Sequence, residues 1–494
     1  DFTLSMEFKE ICTVFIIRLL CLLFYVFMVN HSMVKVNIAA MRKVNFTCVR
    51  KDRFMRKRAA LHNLGCKVNE YETEAMQQLL EEAGYEIVPF QEKADVYVIN
   101  TCSVTNIADR KSRQMLHRAK RKNPDAIVVA AGCYAQTAEE KLLEDDAVDI
   151  VIGNNRKGHL LEAIDAFEKN NRREREVSRI DINDGCQPYE TMEVKYAPGH
   201  TRAFLKVQDG CNQFCSYCII PYARGRVRSR DLADAVKEAG RLAESGYREI
   251  VLTGIHLSSY QTPEGDGLLE LVEAVCAVPG IARVRLGSLE PQIVTEDFAL
   301  RLSELPKVCP HFHLSLQSGC DATLKRMNRK YDTAAYEKSC GLLRKYFSHP
   351  AITTDVIAGF PGESEEEFAE TKKFLEKIHF YEMHVFKYSR RKGTVADRMP
   401  DQVDEAVKTE RSAALLELAE TMSEEFRSFY VGKWVEILLE EPCVIDGVRY
   451  MTGFTREYVK VAVKTEEEIG GSLVSGKIAG FLTADLLLSV EFSK

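Results

Sequence analysis

Apolar runs and helical patterns alternate along the chain from residue 59 onward. In the first part, strand-like apolar runs lie at 59–64, 94–99, 126–131 and 148–152. The helical patterns that accompany them lie at 71–83, 107–122 and 160–169. This βαβα alternation predicts an open α/β domain over residues 55–170, built on a mainly parallel sheet with helices on its faces. Asn69, with Glu72 three residues later, predicts a capped helix start.

Six further apolar runs each stand at the head of a helical pattern. They lie at 203–207, 249–252, 283–286, 312–316, 353–357 and 383–386. Six βα units predict a partial (β/α)6 barrel over residues 197–428, with a site at the carboxyl ends of its strands. The charged, non-periodic stretch 170–201 is interpreted as the linker between the two α/β domains.

The pattern changes to strict alternation in the tail, residues 430–494. Strand-like runs with Gly-rich turns between them lie at 434–439, 448–451, 458–463 and 486–491. They predict a small antiparallel β-barrel, a fold that often binds oligonucleotides. Few aromatic residues occur here, which favours contact with a nucleic-acid backbone over stacking on bases.

Composition narrows the class of protein. The chain has 494 residues, of which 46% are hydrophobic and 28% charged, as in ordinary globular proteins of about three domains. The formal net charge is −6, so any contact with nucleic acid must come from local basic patches. Fifteen cysteines scattered along a long chain indicate an intracellular protein with metal-binding subsets, because disulfide scaffolds are small and secreted.

Cys211, Cys215 and Cys218 form a C-x3-C-x2-C motif directly after the first strand of the predicted barrel. A tight loop with this spacing presents three thiolates to one face of an iron–sulfur cube and leaves the fourth iron without a protein ligand. Zinc sites normally close with a fourth Cys or His, and the next cysteine here is Cys276, inside a helical pattern. Zinc binding and a redox pair remain the alternatives.

A second cysteine triplet follows three strands of the amino-terminal domain. Cys66, Cys102 and Cys133 each lie just past the carboxyl end of a strand. Ligands bind at that edge of open α/β sheets. A single such cysteine is more often a buried small hydrophobe, but three at equivalent places predict a second three-cysteine iron–sulfur site.

Basic residues crowd the helix at 107–122. Arg113, Arg118 and Arg121 are among seven Lys and Arg side chains, with Asp109 as the only acid to pair with them. The helix is interpreted either as a solvated face or as an RNA-binding face. Four arginines after the cysteine loop alternate with other residues, and we expect them to bind RNA or to pair internally; they are Arg224, Arg226, Arg228 and Arg230.

The cysteine loop, with Tyr217 before its last cysteine, resembles the signature of radical S-adenosylmethionine (SAM) enzymes. Its continuation through residues 219–225, and the motifs around Cys66, Cys102 and Cys133, resemble the methylthiotransferase family among them. Four strand-end loops also resemble family motifs, and they contain Gly254, Glu290, Gln317 and Gly359. Glycines there let the backbone approach a cofactor closely.

The resemblance implies a two-cluster enzyme. In the family, Cys211, Cys215 and Cys218 hold the 4Fe-4S cluster that cleaves SAM, and Cys66, Cys102 and Cys133 hold the auxiliary 4Fe-4S cluster. It further implies SAM binding by Tyr217 and the four strand-end residues, a carboxyl-terminal TRAM domain, tRNA as partner, an electron donor, a sulfur donor, no membrane partner and a cytoplasmic location. A C–H bond without an acidic proton needs a radical, so we assign no general base.

Three substrate branches exist in the family: isopentenyladenosine in tRNA, threonylcarbamoyladenosine in tRNA, and an Asp of a ribosomal protein. The stretch 64–74 most resembles the threonylcarbamoyladenosine branch. We therefore expect methylthiolation at C2 of N6-threonylcarbamoyladenosine next to the anticodon, at position 37. A contrasting class, a non-enzymatic iron–sulfur RNA-binding protein, leaves the SAM-like motifs unexplained.

Residues 1–54 lie outside this resemblance, which begins at Met55. They contain an apolar run at 12–29, interrupted by Arg18, that is long enough to span a membrane. No small-residue cleavage site follows it. A membrane anchor, a signal-like segment and translated sequence upstream of the true start are the three interpretations, and the last is favoured.

Overall fold

A computed structural model describes residues 56–170, 174–185, 187–195 and 201–493. The interpretations of residues 1–54 therefore concern a segment outside the described residues. Within the described part of the chain, no helix is both long and apolar enough to cross a membrane.

The amino-terminal part is a six-stranded sheet with the order β2-β1-β3-β4-β5-β6. Every neighbouring pair in it is parallel, as the βαβα pattern predicts. Its strands are β1 (Arg58–Asn63), β2 (Glu86–Ile87), β3 (Val96–Thr101), β4 (Ile127–Gly132), β5 (Ile150–Ile152) and β6 (Glu176–Ser178). Its helices are α1 (Lys67–Glu82), α2 (Asn106–Lys122), α3 (Cys133–Thr137), α4 (Glu139–Leu143) and α5 (Leu160–Lys169).

Two local predictions about this domain are wrong. Helix α1 begins at Lys67 with Cys66 as its N-cap, so Asn69 and Glu72 are not a capping box but buried residues inside the helix. The amide of Asn69 donates instead to the carbonyl oxygens of Leu64 (2.8 Å) and Thr101 (3.0 Å). The predicted linker also contains β6, which pairs with β5 and extends the sheet.

The central part contains the six parallel strands expected of a partial barrel, and the α/β class is confirmed. They are β7 (Arg202–Asp209), β9 (Glu249–Gly254), β10 (Arg283–Leu286), β11 (His311–His313), β12 (Ala351–Ala358) and β13 (Glu382–Lys387). A short antiparallel strand, β8 (Arg228–Ser229), lies at the edge beside β7. A parallel bridge between Leu289 and Leu314 joins the sheet β10-β9-β7-β8 to the sheet β11-β12-β13.

Helices cover the outside of this barrel. Residues such as Leu205, Ile250 and Val284 alternate along the strands and belong to one large hydrophobic core beneath these helices. The intervening residues therefore face the barrel lumen. The helices are α6 (Ile220–Arg224), α7 (Leu232–Glu244), α8 (Leu268–Ala277), α9 (Glu296–Ser303), α10 (Asp321–Arg326), α11 (Thr333–Tyr346), α12 (Glu365–Ile378) and α13 (Glu405–Ser428). Single 3₁₀ turns lie at Lys157–His159, Leu257–Ser259, Pro291–Ile293 and Ala396–Arg398.

The tail forms a closed five-stranded barrel in the order β14-β15-β16-β18-β17. Its strands are β14 (Trp434–Ile445), β15 (Val448–Thr455), β16 (Lys460–Lys464), β17 (Leu473–Thr483) and β18 (Leu486–Ser493). Strand β17 was not expected from the sequence. The pairs are antiparallel except β16–β18, which is parallel and closes the barrel.

The tail barrel packs against the amino-terminal end of the central barrel. Arg283 donates to the carbonyl oxygen of Phe454 (3.0 Å), and Arg285 donates to that of Arg456 (2.9 Å). The Arg285 guanidinium also lies 4.9 Å from the centre of the Tyr458 ring. These contacts close that end of the lumen, so the opposite end, where the strands finish, stays available for a site.

Candidate metal centres and cofactor site

The central cysteine loop joins β7 to α6. Its three thiols are free, and the turn is held by the Cys218 amide, which donates to the Cys215 carbonyl oxygen at 2.9 Å. Phe214 adopts a left-handed conformation (φ 49°), which reverses the chain between the first two cysteines. The loop therefore presents three thiols from one short turn.

The electrostatics of this loop suit a cationic ligand. Burial raises the pKa of Cys211 to about 11 and that of Cys218 to about 12, and the negative charge of Cys215 adds to both shifts. Cys215 thus acts on both of the other thiols of the loop. A bound metal reverses this penalty, because a coordinating thiol is deprotonated outright.

Arg329 is a functional candidate that the sequence did not reveal. Its guanidinium donates to the Cys215 sulfur at 3.1 Å and to a Glu290 carboxylate oxygen at 2.6 Å. A donor on a ligand sulfur is one of the features that set the potential of an iron–sulfur cluster. Arg329 therefore joins the cysteine loop to the strand-end loop after β10.

The five residues predicted to bind SAM lie in the cysteine loop or at strand ends. Tyr217 is half-buried against Phe360, and Glu290 lies beside Arg329. Of the remaining three, two are glycines and the third, Gln317, has a left-handed backbone conformation. Gly254 ends β9, Gln317 is buried with φ 75°, and Gly359 (φ 72°) follows β12.

Two of these positions tolerate no side chain for reasons inside the protein. A Cβ atom on Gly254 would lie 2.9 Å from the side chain of Gln208. A Cβ atom on Gly359 would lie 2.3 Å from Cγ of Lys408, so Gly359 faces helix α13 and not open space. Contact with SAM stays a prediction for all five residues.

The second cysteine triplet lies at one edge of the amino-terminal sheet. Cys66 is the N-cap of α1 after β1, Cys102 directly follows β3, and Cys133 directly follows β4. Strands β1, β3 and β4 are neighbours in the sheet, so the three cysteines leave the same edge side by side. All three thiols are free.

Two glycines let the chain pack closely around these cysteines. A Cβ atom on Gly65 (φ 119°) would lie 3.0 Å from Cβ and 3.1 Å from the sulfur of Cys102. A Cβ atom on Gly132 (φ 93°) would lie 2.4 Å from the side-chain oxygen of Asn100. Both glycines directly precede ligand candidates. A side chain at Gly65 would displace Cys102, and one at Gly132 would displace Asn100 and the Thr101 backbone just before Cys102.

The residues present fit a three-thiolate cluster here too. Burial raises the pKa of Cys102 to about 11, and the charges of Cys133 and Cys66 add to the shift. The Asn154 amide donates to the Cys133 sulfur across 3.6 Å. Burial also raises the pKa of Cys66, whereas the positive charge of Arg224 opposes that rise.

A buried ion network lies between the two triplets. Glu72, on the helix after Cys66, accepts from Arg224 (2.9 Å), on the helix after Cys218, and from Lys206 (2.7 Å) on β7. Lys157 pairs with the same carboxylate, and Asp209 pairs with Lys206 (2.7 Å). The elements that carry the two cysteine triplets are therefore joined by charge in the protein interior.

Three of the four alternating arginines, Arg224, Arg228 and Arg230, pair internally, as one of the two expectations had it. Arg224 lies in α6 and not in an extended segment, and Arg228 lies 3.7 Å from Asp209. Arg230 pairs with Glu238 at 2.8 Å. The Arg226 guanidinium lies 4.6 Å from the centre of the Phe214 ring in the cysteine loop.

The segment after β13 touches both cysteine loops. Arg391 donates to the hydroxyl of Ser103, next to Cys102, at 2.8 Å, and pairs with Asp109 at 2.7 Å. The Ala396 amide donates to the carbonyl oxygen of Ser216 at 2.7 Å. This segment is a second connection between the two candidate metal centres.

The lumen wall contains a cluster of three polar side chains that sequence analysis did not identify. His313, Asp355 and His384 lie on the neighbouring strands β11, β12 and β13, and their potential ligand atoms all lie within 4.8 Å of one another. The two imidazole rings are stacked, with centroids 5.7 Å apart. These side chains give the lumen polar character below the cysteine loop.

The basic helix α2 has an exposed face. Arg118 and Arg121 are exposed and make no ion pair with any described residue. Arg113 is also exposed, but it donates to the Tyr134 hydroxyl at 2.9 Å. Lys120 pairs with Asp149, so not every charge of the helix is available to a ligand.

Comparisons with known proteins identify the class. A family model described as the radical SAM superfamily matches residues 205–375, and a model described as uncharacterized protein family UPF0004 matches residues 58–153. The barrel with its three-cysteine loop is thus that of a radical SAM protein. The chain belongs to the radical SAM methylthiotransferase family.

Three relatives illustrate this membership. The threonylcarbamoyladenosine tRNA methylthiotransferase MtaB of Bacillus subtilis (strain 168) is 44% identical over 85% of this chain and 93% of its own length. MtaB of Aquifex aeolicus (strain VF5) is 39% identical over 84% of this chain and 98% of its own. The tRNA-2-methylthio-N(6)-dimethylallyladenosine synthase of Acetivibrio thermocellus is 35% identical over 85% and 88%.

A solved structure supports the fold alone. It is that of the radical S-adenosylmethionine methyltransferase TsrM from Kitasatospora setae, with cobalamin and a [4Fe-4S] cluster bound. It is 16% identical, covers 67% of this chain and 72% of its own, and has a TM-score of 0.50.

Proposed function

We propose that this protein inserts a methylthio group at C2 of N6-threonylcarbamoyladenosine, at position 37 of tRNA. The observation that carries the proposal is the pair of free cysteine triplets, each at the carboxyl ends of parallel strands and joined by one buried ion network. The relatives named MtaB support the threonylcarbamoyladenosine branch.

Two 4Fe-4S clusters and SAM are the cofactors in this proposal. Cys211, Cys215 and Cys218 hold the SAM-cleaving cluster, and the auxiliary cluster is held by Cys66, Cys102 and Cys133. Bound there, these cofactors supply the radical that abstracts hydrogen from C2 and the sulfur and methyl groups that replace it. Tyr217, Gly254, Glu290, Gln317 and Gly359 are the residues proposed to contact SAM.

In this proposal, the protein's own residues position the two cysteine loops and exclude water from the site. The Arg391 segment and the Glu72 network fix the two cysteine loops relative to each other, so that a base bound between them meets both. The tail barrel closes the far end of the lumen. A reactive radical inside a closed site is protected from side reactions with solvent.

RNA binding is assigned to the exposed face of α2. Arg118 and Arg121 carry the proposal, since Arg113 already has a hydrogen-bond partner in Tyr134. The tail barrel, proposed to be a TRAM domain, adds contacts to the RNA backbone. We propose a cytoplasmic location, because the proposed substrate is tRNA, and an electron donor and a sulfur donor as separate partners. We propose the domain division 55–170, 197–428 and 430–494, with β6 added to the first sheet.

Mass spectrometry of tRNA nucleosides tests the function. Cells that lack the gene should lose 2-methylthio-N6-threonylcarbamoyladenosine and accumulate the unmethylthiolated nucleoside. The wild-type gene should restore the product, and a Cys66→Ala variant should not. Cys276→Ala is the matched control, because this buried cysteine of α8 belongs to neither triplet and should leave the product intact.

Each alternative gives a different result. Loss of the 2-methylthio derivative of isopentenyladenosine would assign the enzyme to that branch. Loss of methylthiolation from a ribosomal-protein Asp would assign it to the third branch. An unchanged nucleoside and protein profile would favour the non-enzymatic iron–sulfur RNA-binding protein and overturn the proposal.

A further inference from the structure

The wall of the central barrel carries two imidazoles and one carboxylate on three neighbouring strands. His313 lies on β11, Asp355 on β12 and His384 on β13, and together they form the His–Asp–His cluster. They alternate along their strands with core residues such as Phe312 and Val356, so the three side chains face the lumen. Asp355 and His384 are directly opposite each other in the parallel register of β12 and β13.

The cluster is compact enough to hold one metal ion. The Nε2 atom of His313 lies 3.4 Å from Oδ2 of Asp355, and the potential ligand atoms of all three side chains lie within 4.8 Å of one another. In a tetrahedral zinc site with bonds of about 2.0–2.1 Å, the ligand atoms are about 3.3 Å apart. The first pair already has this separation, and a rotation of the exposed His384 side chain would bring its nitrogen to a similar distance.

Thr353 orients the ring of His313. Its hydroxyl oxygen lies 3.0 Å from Nδ1 of His313, and the two residues are paired in the register of β11 and β12. When Nδ1 carries the proton and donates to this hydroxyl, the Nε2 lone pair faces Asp355 and is available to a metal. Metal-binding histidines are usually held in one tautomer and one orientation by such a hydrogen bond at the other ring nitrogen.

A simple ion pair does not account for the cluster. Among the described residues, Asp355 forms an ion pair with His313 and with no Lys or Arg. The ring of His384 makes no hydrogen bond or ion pair in this part of the chain, yet it is stacked on that of His313 with centroids 5.7 Å apart. Two protonated imidazoles in this arrangement would repel each other. A metal ion instead binds neutral imidazoles and an ionised carboxylate together.

We propose that the His–Asp–His cluster binds one divalent metal ion, zinc or a similar first-row ion, through His313, Asp355 and His384. Two imidazoles and one carboxylate are the ligand set of zinc sites that keep a coordination position open, and of ferrous sites. Three protein ligands leave such a position facing the lumen, where it is available to water or to an oxygen or nitrogen of the substrate. The site does not depend on which nucleoside the enzyme modifies.

The site lies inside the lumen, below the strand ends that carry the cysteine loop. Asp355 is three positions before Ala358, the last residue of β12, which corresponds to about 10 Å along a strand. The side chains of Asp355 and His384 both have solvent-accessible surface. An ion can therefore enter from the open end of the lumen, while the tail barrel closes the opposite end.

Zinc binding by the cluster-loaded protein tests the proposal. Protein reconstituted with iron and sulfide is desalted and titrated anaerobically with zinc sulfate by isothermal titration calorimetry. Bound zinc is then counted by inductively coupled plasma mass spectrometry. Wild type should bind about one zinc ion per chain at this site. Zinc should also displace ferrous iron retained from the reconstitution, because the affinity of such sites generally increases from iron to zinc.

X-ray absorption at the zinc edge identifies the ligands of that ion. Nitrogen and oxygen ligands at about 2.0–2.1 Å, without sulfur at about 2.3 Å, are expected for the His–Asp–His cluster. Sulfur at the longer distance would place the zinc on cysteines and overturn the proposal. This result is separate from the proposed function, which concerns iron held by the cysteine triplets.

Substitutions assign the zinc ion to these residues. His384→Ala and Asp355→Asn each remove one ligand and should abolish stoichiometric zinc binding. Thr353→Val removes only the hydroxyl beside His313 and should weaken zinc binding about 10- to 100-fold, because the ring then loses the hydrogen bond that orients it. Iron content and the circular dichroism spectrum should match wild type in all three variants.

His117→Ala is the matched control. It removes an exposed imidazole of α2 that also faces a carboxylate, that of Asp145 at 3.0 Å, and should leave zinc binding unchanged. If wild type binds no zinc, or if the three cluster variants bind zinc as tightly as wild type, the proposal is overturned. If His384→Ala misfolds, Asp355→Asn and Thr353→Val decide, and wild-type affinity in both contradicts the proposal.

Discussion

Glu72 is a carboxylate in the protein interior whose charge depends on its neighbours. Burial alone would raise its pKa, but Arg224, Lys157 and Lys206 lower that pKa well below its usual range. These cations come from both α/β parts of the protein. A single substitution at Glu72 can therefore disturb the relative position of the two cysteine triplets.

Replacing Glu72 by Gln should destabilise the protein strongly. The side chain keeps its shape but leaves three buried cations without their shared anion, and removal of one partner of a buried pair typically costs about 3–5 kcal/mol. We expect a clear fall in the midpoint of thermal unfolding. Lys345→Gln, which breaks an exposed pair with Glu296, should change it little. Equal midpoints for Glu72→Gln and wild type would contradict the structural role of the network.

Individual ligand candidates were easier to predict than their surroundings. Motif spacing and strand ends are local in sequence, so Cys66, Cys102 and Cys133 could be assigned without knowing the fold. Arg329 and Glu290, by contrast, are 39 positions apart and meet only because their loops converge above the barrel. Such a contact leaves no periodic or spacing signal in a single sequence.

Most elements with strong periodicity were predicted well, whereas short or weakly capped elements and the eleven-residue strand β17 were not. Strand β6 has only three residues, and Glu176–Ser178 lacks the apolar run that marks a buried strand. Helix α1 has no side-chain cap at Cys66, so Asn69 seemed the better start. Tertiary contacts decided both cases. Pairing at the edge of the sheet determines where β6 forms, and the cysteine loop determines where α1 begins.

Substitutions in helix α2 test whether this helix binds RNA. Replacing Arg118 and Arg121 by Gln should weaken tRNA binding and flatten its dependence on salt, since each phosphate contact contributes about 0.7–0.9 to the log–log slope. SAM cleavage without tRNA should persist, because the cysteine loop that supports it lies in the central barrel. Affinity is measured at several salt concentrations.

The matched control for that test lies on another helix. Lys372 and Lys373 of α12 are also exposed, and their replacement by Gln removes the same number of charges. This control should leave the salt slope near that of wild type. An unchanged salt slope in the Arg118 and Arg121 variant would show that α2 is a solvated helix face that does not bind RNA.

Two separately built cysteine triplets, the candidate metal centres, share one protein interior. Each triplet belongs to its own parallel sheet, while Arg391 and the Glu72 network connect them. The sequence indicated both sheets and both triplets but not these connections, because they pair residues up to 288 positions apart. Because each triplet has its own three thiols, we expect the two proposed centres to load iron independently, although both are proposed to act on one substrate.

Iron content tests that independence. Wild-type protein reconstituted with iron and sulfide should bind about eight irons, the content of two four-iron cubes. A variant with Ala at Cys211, Cys215 and Cys218 should retain about four, and so should a variant with Ala at Cys66, Cys102 and Cys133, because each cube keeps its own three thiolates.

Iron is measured colorimetrically and the remaining cluster by electron paramagnetic resonance after reduction. Cys276→Ala is the control and should keep the full content. Full iron in either triple variant would show that its cysteines are not ligands, and complete loss from either would show that the two centres do not form independently.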